Sequence, residues 1–444
     1  MSGIPGGIDP DQGPPMTVPL RHFLVGLAFL LVGLLMGVIG ELGIVSGRPV
    51  LAHIHLLVAG WVGLTIMGAM TQFVPVWSGV SLHSRRLATV QLWLATLGMT
   101  GFATALTVGH LHWAPVAGAL LVLGFWTFVY NVGRTLLVAR PWDVTERHFA
   151  IALAFFLALS TLGLALAVGL TRPVFADLPV THGSVRDAHM TIAVYGAVLT
   201  TVFGALYQLA TMFTQSELHG VDVSIQRFEG VAFPIGVLGL ATGRLFEVAP
   251  VGRVGAILVV ASVLGVGVIL ARRLHEARVQ WTPMLSRYVV VAAAMVLWAV
   301  LSAPAWLRDP LAHEHLYGAA GTANLLILGI VGFVVLGTLY HVVPFIIWVH
   351  RYSDLLGLED VPMIDDLYDS RLARLDFVLL TVGTAGFVAA DLGLVSGVTR
   401  LSGNLVGAGA IVFVVNMVLV LRRHGPRDLL GTGRDGPGPS GVSE

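Results

Sequence analysis

Two histidines stand two residues apart at the start of a long apolar stretch, LAHIHLLVAGWVGLTIMGAMTQFVPVWSG, which runs from residue 51 to 79. The stretch is long enough to cross a bilayer. An ionisable side chain at the edge of hydrocarbon is costly to place there and usually serves a function. On an α-helix His53 and His55 differ by about 200° of rotation, so their rings point to opposite sides. We therefore expect a helix that stands between two cofactor sites.

The same spacing of residues recurs twice further along the chain. Each of three apolar segments has a starting position of its own. One glycine follows seven residues after that position, and another follows fifteen residues after it. The starting residues and their glycines are His53 with Gly60 and Gly68, His189 with Gly196 and Gly204, and Thr322 with Gly329 and Gly337. Because these are the second, sixth and tenth apolar segments, the spacing predicts a unit of four helices repeated three times.

Each glycine pair shares a helix face with its starting residue, because the three positions lie within about 80° of one another on an α-helix. Two interpretations are open. Small residues line the interfaces of membrane helices, so the glycines could serve close helix packing. Alternatively, they make room for a flat macrocycle below an axial ligand. Packing explains the glycines, but it does not explain a histidine at the head of the row.

The composition indicates the fold class. Of 444 residues 56% are hydrophobic and 11% are charged, whereas soluble domains carry about 25% charged residues. We predict an all-α, polytopic membrane protein with about 12 transmembrane helices in three pseudo-repeats of four, over about 21–140, 147–272 and 286–422. A single membrane domain would span 21–423, with disordered ends at 1–20 and 424–444.

The arginines predict the orientation in the membrane. Eighteen of the 25 lie before the first segment, in the even-numbered loops or after the last segment, and seven lie in the odd-numbered loops. The positive-inside rule then places both termini in the cytoplasm and the chain in the cytoplasmic membrane, surrounded by lipid. A net charge of zero gives no indication of nucleic-acid binding.

The histidines are candidate metal ligands, since neutral imidazole is a common ligand. His53, His55 and His189 are the first candidates. His313 and His315, in LAHEHLYG, repeat the His-x-His pattern. Histidines beside the arginines at the other helix ends, such as His22 and His148, are predicted to be ordinary interfacial residues.

The kind of ligand indicates the cofactor. The chain has no cysteine, which excludes iron–sulfur clusters and thioether-attached haem. A structural zinc ion would not need glycine-lined helices of membrane length, whereas haem accepts histidine at both axial positions. We predict one or two b-type haems, with copper as a further candidate ion at a position built from His313, His315 or His189.

Two segments carry a resemblance to a known family. The stretch 51–79 resembles the tenth helix of the haem–copper oxidase catalytic subunit, and DAHMTIAVYGAVLTTVFGALYQL, from residue 187, resembles its second helix. The ending VPVWSG (74–79) is also similar to that of NnrS-type membrane haem proteins. The resemblance implies twelve helices in pseudo-threefold arcs. It also implies that His53 and His55 serve two different haems, with His189 as the partner on one side.

The departures from the oxidase pattern narrow the expected function. The chain has no His-His pair, and the first tyrosine after His189 is Tyr195, at the wrong spacing for the oxidase copper helix. The resemblance therefore implies an oxidase-like haem scaffold for electron transfer, or an oxidoreductase acting on nitric oxide or oxygen, without the copper trio. Its electron donor would be a quinol, a cupredoxin or a cytochrome. A twelve-helix transporter and a membrane copper- or zinc-handling or sensor protein are the alternatives.

Overall fold

Twelve long helices make up most of the protein, whose computed structural model describes residues 14–426 and Leu429. No β-strand forms in this part of the chain. The helices are α1 Thr17–Glu41, α2 Pro49–Ser78, α3 Arg85–Thr107, α4 Ala114–Val138, α5 Val144–Gly169, α6 His182–Thr214, α7 Val221–Leu245, α8 Ala249–Glu276, α9 Pro283–Arg308, α10 Leu325–Arg351, α11 Ser370–Asp391 and α12 Thr399–His424.

Eleven of these twelve helices are long and apolar enough to cross a membrane. The remaining one, α3, has 23 residues, but its five threonines and Gln91 make it less apolar. Large apolar side chains such as Leu97, Val138 and Val231 are 62%, 73% and 62% exposed. Such a surface suits lipid rather than water. The prediction of an all-α polytopic membrane protein is confirmed.

The predicted ends of the membrane domain need small changes. Helix α1 begins at Thr17, four residues before the predicted boundary at 21, so 17–20 are helical and not disordered. Helix α12 ends at His424, the first residue of the predicted tail. Residues 1–13 of the predicted lead, and the predicted tail beyond 426 except Leu429, lie outside the described residues.

The second helix of each predicted repeat contains a stretch of π-helix, a rare conformation that is frequent at functional sites. The three stretches are Leu56–Gly63 in α2, Ile192–Leu199 in α6 and Leu325–Gly332 at the start of α10. Each has eight residues and begins three residues after the starting position of its repeat. The three copies therefore share a backbone irregularity as well as their glycine spacing.

The glycines predicted to adjoin a cofactor lie instead against the preceding helix of their own repeat. A Cβ atom at Gly60 would lie 3.0 Å from the Phe29 side chain on α1, and one at Gly196 would lie 2.8 Å from Phe155 on α5. The equivalent distances are 2.6 Å from Gly68 to Cβ of His22, and 2.6 Å from Gly204 to Cβ of His148. Close helix packing accounts for all four.

This packing fixes which end of the bundle each residue occupies. His53, at the start of α2, lies beside Gly37 near the end of α1, so the two helices are antiparallel. His189, near the start of α6, likewise lies beside Gly163 near the end of α5. We call the end that holds these histidines the histidine end, and the opposite end, where α1 begins and α12 ends, the terminal end.

Substituting Gly204 by alanine tests this packing. The new methyl group would overlap the His148 side chain, and overpacking of this kind costs about 1–3 kcal/mol. We expect a lower midpoint of thermal unfolding for the purified protein. Gly407→Ala in α12 is the matched control, because no atom lies within 4 Å of its Cβ position; it should be neutral or stabilising. Equal midpoints for the two variants would contradict the proposed packing.

Candidate functional site

A cavity of about 430 Å³ lies at the histidine end, between α2, α3, α4, α5 and α6. Its size falls within the roughly 300–1,000 Å³ of typical ligand and cofactor sites. Most of its lining is apolar, including Phe102, Phe125 and Phe156. His55 and His189 line the same cavity, although 134 residues separate them in the sequence. We call it the histidine cavity.

His55 reaches the cavity from α2, in the first repeat. Its Nδ1 donates a hydrogen bond to the carbonyl oxygen of Leu51, 2.9 Å away. Its ring contacts Phe102 of α3 edge-on, with ring centroids 5.1 Å apart. The other ring nitrogen, Nε2, has no hydrogen-bond partner among the described residues. The bond to Leu51 places the proton on Nδ1, which leaves the lone pair of Nε2 free.

His189 reaches the cavity from α6, in the second repeat. Its Nδ1 donates to the carbonyl oxygen of Leu159 on α5, at 2.9 Å. A Cβ atom at Gly163, one turn further along α5, would lie 3.0 Å from Cε1 of the ring, so glycine is needed for the ring to lie there. Metal-ligating histidines usually donate their second ring N–H to a carbonyl or carboxylate. Both histidines of the cavity are arranged in this way.

His53 occupies in the first repeat the place that His189 occupies in the second. Its Nδ1 donates to the carbonyl oxygen of Gly33 on α1, at 2.7 Å, and a Cβ atom at Gly37 would lie 2.9 Å from its ring. His53 therefore faces α1, and it does not line the cavity that His55 lines. The imidazoles of His53 and His55 therefore point in different directions from α2, as their spacing predicted.

Neighbouring repeats meet at three junctions. At each junction we compare two positions: the starting position of one repeat, and the residue two positions after the starting position of the repeat before it. At the first junction these residues are His55 and His189. Their sequence equivalents are Thr191 with Thr322 at the second junction and Asn324 with His53 at the third. Only the first junction therefore offers two imidazoles.

Side chains fill the second junction. The buried guanidinium of Arg244 donates to Thr191 Oγ1 at 2.7 Å and to the carbonyl oxygens of Leu316 and His315 at 3.2 and 3.0 Å. Beside it the ring of Tyr195 packs against two tryptophans, with centroids 5.9 and 5.7 Å apart. This junction is closed by packing.

The mouth of the histidine cavity is rich in basic side chains, since Arg48, His182, Arg186 and His313 all line it. Arg186 lies 2.9 Å from a carboxylate oxygen of Asp187 and 3.2 Å from Nδ1 of His313. A mouth with two arginines and two histidines can accept negatively charged groups of a bound molecule.

Tyr317 also lines the cavity, from the loop before α10. Burial raises the pKa of its hydroxyl to about 12, so that it stays protonated at neutral pH. It therefore adds a neutral hydrogen-bonding group next to the basic mouth.

The predicted copper position does not assemble around His313 and His315. Both belong to a short 3₁₀ helix, His313–His315, and the side chain of His313 is 63% exposed. Nδ1 of His315 donates to the carbonyl oxygen of Asp309 at 2.6 Å. In the part of the chain that the structure describes, no three histidine, aspartate or glutamate residues lie close enough together to hold a metal ion.

Buried polar clusters near the terminal end were missed in the sequence. His22 and His148, predicted to be interfacial, are each only 1% exposed. Nε2 of His22 lies 3.3 Å from Gln91, and Nε2 of His148 lies 3.1 Å from Glu229. Both partners belong to the third helix of a repeat, which carried no recognised motif.

Comparison with known proteins adds a partial similarity. No family model matches the chain. A curated protein named cytochrome c oxidase subunit 1 homolog, bacteroid, from Bradyrhizobium diazoefficiens, is 28% identical over 121 residues. The match covers 26% of this chain and 22% of that protein. It agrees with the oxidase-like sequence features on a limited part of the chain.

Arg244→Ala tests whether side chains hold the second junction closed. Each buried acceptor left without its donor costs about 1–3 kcal/mol, so the variant should lose at least about 3 kcal/mol of stability, measured as a lower midpoint of thermal unfolding. Arg253→Ala is the control, because Arg253 also donates to two carbonyl oxygens but at the exposed surface. A midpoint for Arg244→Ala as high as that of Arg253→Ala would refute this role.

Proposed function

We propose that the histidine cavity binds a b-type haem through His55 and His189, and that the protein transfers electrons in a membrane. One observation carries the proposal. Two imidazoles from different repeats line one cavity of cofactor size, each with Nδ1 tied to a backbone carbonyl and Nε2 without a partner. Haem is held by such nitrogens and, when bound, supplies one-electron transfer.

The chemistry of the cavity fits this group. The ligand set is two neutral imidazoles with no thiol, which suits an iron porphyrin held only by axial bonds. The aromatic lining would keep water away from a bound haem. Gly63, Gly118 and Gly163 also line the cavity, and they leave room for a flat ring where larger side chains would intrude. Glycines therefore do line the proposed cofactor site, but they are not the ones in the repeated rows.

The basic mouth would hold the two carboxylates of the haem. Arg48 and Arg186 both line the cavity near its open side, and a guanidinium binds a carboxylate through two parallel hydrogen bonds. His182 and His313 lie at the same opening. The polar edge of the haem would thus face the histidine end, while its apolar edge points into the bundle.

A haem held by both His55 and His189 would supply electron transfer rather than chemistry on a bound gas. His53 supports a second candidate function, because its contacts with α1 reproduce those of His189 with α5. A second haem held there by His53 would have Asn324 in place of a second imidazole. Such a site would keep one axial position open, as reactions of nitric oxide or oxygen require.

The membrane and the electron donor complete the proposal. The arginine distribution favours both termini on the cytoplasmic side of the cell membrane, which would put the histidine cavity near the outer face. A quinol in the bilayer, or a cupredoxin or cytochrome outside it, could then deliver electrons to the edge of the haem.

The absorption spectrum of protein produced with ample haem tests the ligands. We expect a haem Soret band in the wild type and a loss of haem in His55→Ala and His189→Ala, because each removes an axial ligand. His112→Ala is the control, since His112 is exposed at the same end of the bundle, and it should keep the wild-type spectrum. A colourless wild-type protein, or unchanged spectra in both ligand variants, would refute the proposal.

Carbon monoxide separates the two candidate functions. A reduced haem with two histidine ligands should leave the spectrum unchanged when the gas is added, because no axial position is open. A haem held by His53 alone should give a spectral shift that disappears in His53→Ala. If His53→Ala leaves both haem content and carbon monoxide response unaltered, His53 holds no haem.

A further inference from the structure

Three buried polar triads lie near the terminal end, one in each repeat. Each has one residue from the first, one from the second and one from the third helix of its repeat. The triads are His22, Thr71 and Gln91; His148, Tyr207 and Glu229; and Arg287, Tyr340 and Asp376. All nine side chains are buried.

The triads are equivalent by position. The first members, His22, His148 and Arg287, each donate to the carbonyl oxygen four residues earlier, at 2.8, 2.7 and 2.7 Å. The second members each lie eighteen residues after the starting position of their repeat. The same position therefore occurs three times in the fold, and each time it holds a different set of polar side chains.

The first triad is fixed as a neutral group. Because Nδ1 of His22 donates to Val18, its Nε2 accepts from the Gln91 amide, 3.3 Å away. The same amide nitrogen lies 3.2 Å from Oγ1 of Thr71. An amide has no proton to release in the ordinary pH range, so this triad holds its protons permanently.

The third triad is fixed as an ion pair. The guanidinium of Arg287 donates to Asp376, and the hydroxyl of Tyr340 donates to the same carboxylate. An arginine does not lose its proton in proteins. The carboxyl group of Asp376 thereby lies beside a permanent positive charge, and Asn416 further anchors the Tyr340 hydroxyl at 3.1 Å.

Among the three triads, the second alone pairs an imidazole with a carboxyl group. Nδ1 of His148 donates to the carbonyl oxygen of Val144, so its Nε2 shares one further proton with Glu229, whose oxygens both lie 3.1 Å away. The hydroxyl of Tyr207 donates to Oε2 of Glu229 at 2.7 Å. Imidazole gains and loses its proton near neutral pH. An ionisable pair inside a membrane domain is costly and usually functional.

We propose that the His148–Glu229 pair is a proton-binding site inside the membrane domain. When loaded, one proton lies between Nε2 of His148 and the carboxylate of Glu229, and the pair is neutral overall. When that proton leaves for solvent, the imidazole stays neutral, and the carboxylate keeps its hydrogen bond from Tyr207. No electron moves in this step, and the site does not depend on the proposed haem.

Charged residues lie between this pair and the surface of the terminal end. Asp222 precedes Glu229 on α7 by two turns, about 10 Å along the axis, and accepts hydrogen bonds from Arg272 and Arg273 at 2.7 and 2.9 Å. Arg273 also lies 3.2 Å from the imidazole of His219, whose side chain is 59% exposed.

The remaining titratable groups near the pair lie on α5 and α6. Asp143, which caps the start of α5, interacts electrostatically with His148, and Tyr207 of α6 interacts with Glu229. Glu146, in the first turn of α5, accepts instead from Ser78 at the end of α2. All of these groups lie near the terminal end, opposite to the histidine cavity, so we expect the proton to exchange on that side.

The chain itself supplies conservative variants for a test. Glu229→Gln recreates the histidine–glutamine pair of the first triad, and His148→Arg recreates the arginine–carboxylate pair of the third. Each should fold, since the same place in another repeat already holds that chemistry. Each should also stop proton exchange, the first by removing the carboxyl group and the second by holding it ionised.

Infrared difference spectroscopy of the full purified protein during a pH titration reads the carboxyl group directly. A carboxyl band that changes when imidazole gains or loses its proton, and that is absent from Glu229→Gln, identifies a carboxyl coupled to histidine. We expect one such band in the wild type, its loss in Glu229→Gln and in His148→Arg, and its shift in Tyr207→Phe, which removes one hydrogen bond.

The outcomes that overturn the proposal are equally direct. If Glu229→Gln removes no band that changes with the protonation of imidazole, His148 and Glu229 form a fixed structural pair. A band that persists in Glu229→Gln would belong to another residue. Because the measurement needs no haem, a colourless protein with the expected titration would refute the proposed function and leave this proposal standing.

Discussion

The close contact between the first and second helix of each repeat is the constraint on which the rest of the structure depends. Glycines on α2 and α6 let the side chains and backbone of α1 and α5 approach within van der Waals distance. That contact sets the rotation of the second helix. It brings His53 and His189 under the carbonyl oxygens of Gly33 and Leu159, and it turns His55 toward the next repeat.

Satisfaction of polar groups inside the bundle explains why the same contact also places the triads. No water is available in hydrocarbon to pair a buried imidazole or guanidinium, so each must find a partner within the protein. At the histidine end the imidazoles use Nδ1 for this purpose and leave Nε2 for a ligand. At the terminal end the third helix of each repeat supplies the missing partner. The first and second helices of a repeat therefore contribute to a candidate cofactor site at one end and to a polar cluster at the other.

The sequence predicted the helices and their repeat because both depend on local composition and spacing. It did not predict the π-helical stretches, because LLVAGWVG, IAVYGAVL and LLILGIVG are as apolar as any membrane helix and their i→i+5 bonds leave no compositional signal. The apolar run that begins at Leu316 is not helical from its first residue. Gly318 and Gly321 adopt φ of +115° and +82°, which ends regular structure until Leu325.

The sequence predicted those features of the candidate site that depend on a single helix. The opposite directions of His53 and His55 follow from helical rotation alone. The cavity that unites His55 with His189 depends on how two repeats meet, and the pairing of His148 with Glu229 joins residues 81 apart. Such partners lie on different helices with no fixed spacing. A polar residue eighteen positions after each starting residue was the one sequence signal that could have pointed to the triads.

Electron paramagnetic resonance of the oxidised, haem-loaded protein tests most directly whether two imidazoles from two repeats hold one iron. Ligation by both histidines would give a low-spin ferric signal in the wild type, because two imidazoles give a strong ligand field. The signal should be lost or replaced by a high-spin signal when either His55 or His189 is changed to alanine. A wild-type protein with only a high-spin signal, or a low-spin signal that survives in both variants, would contradict this ligation.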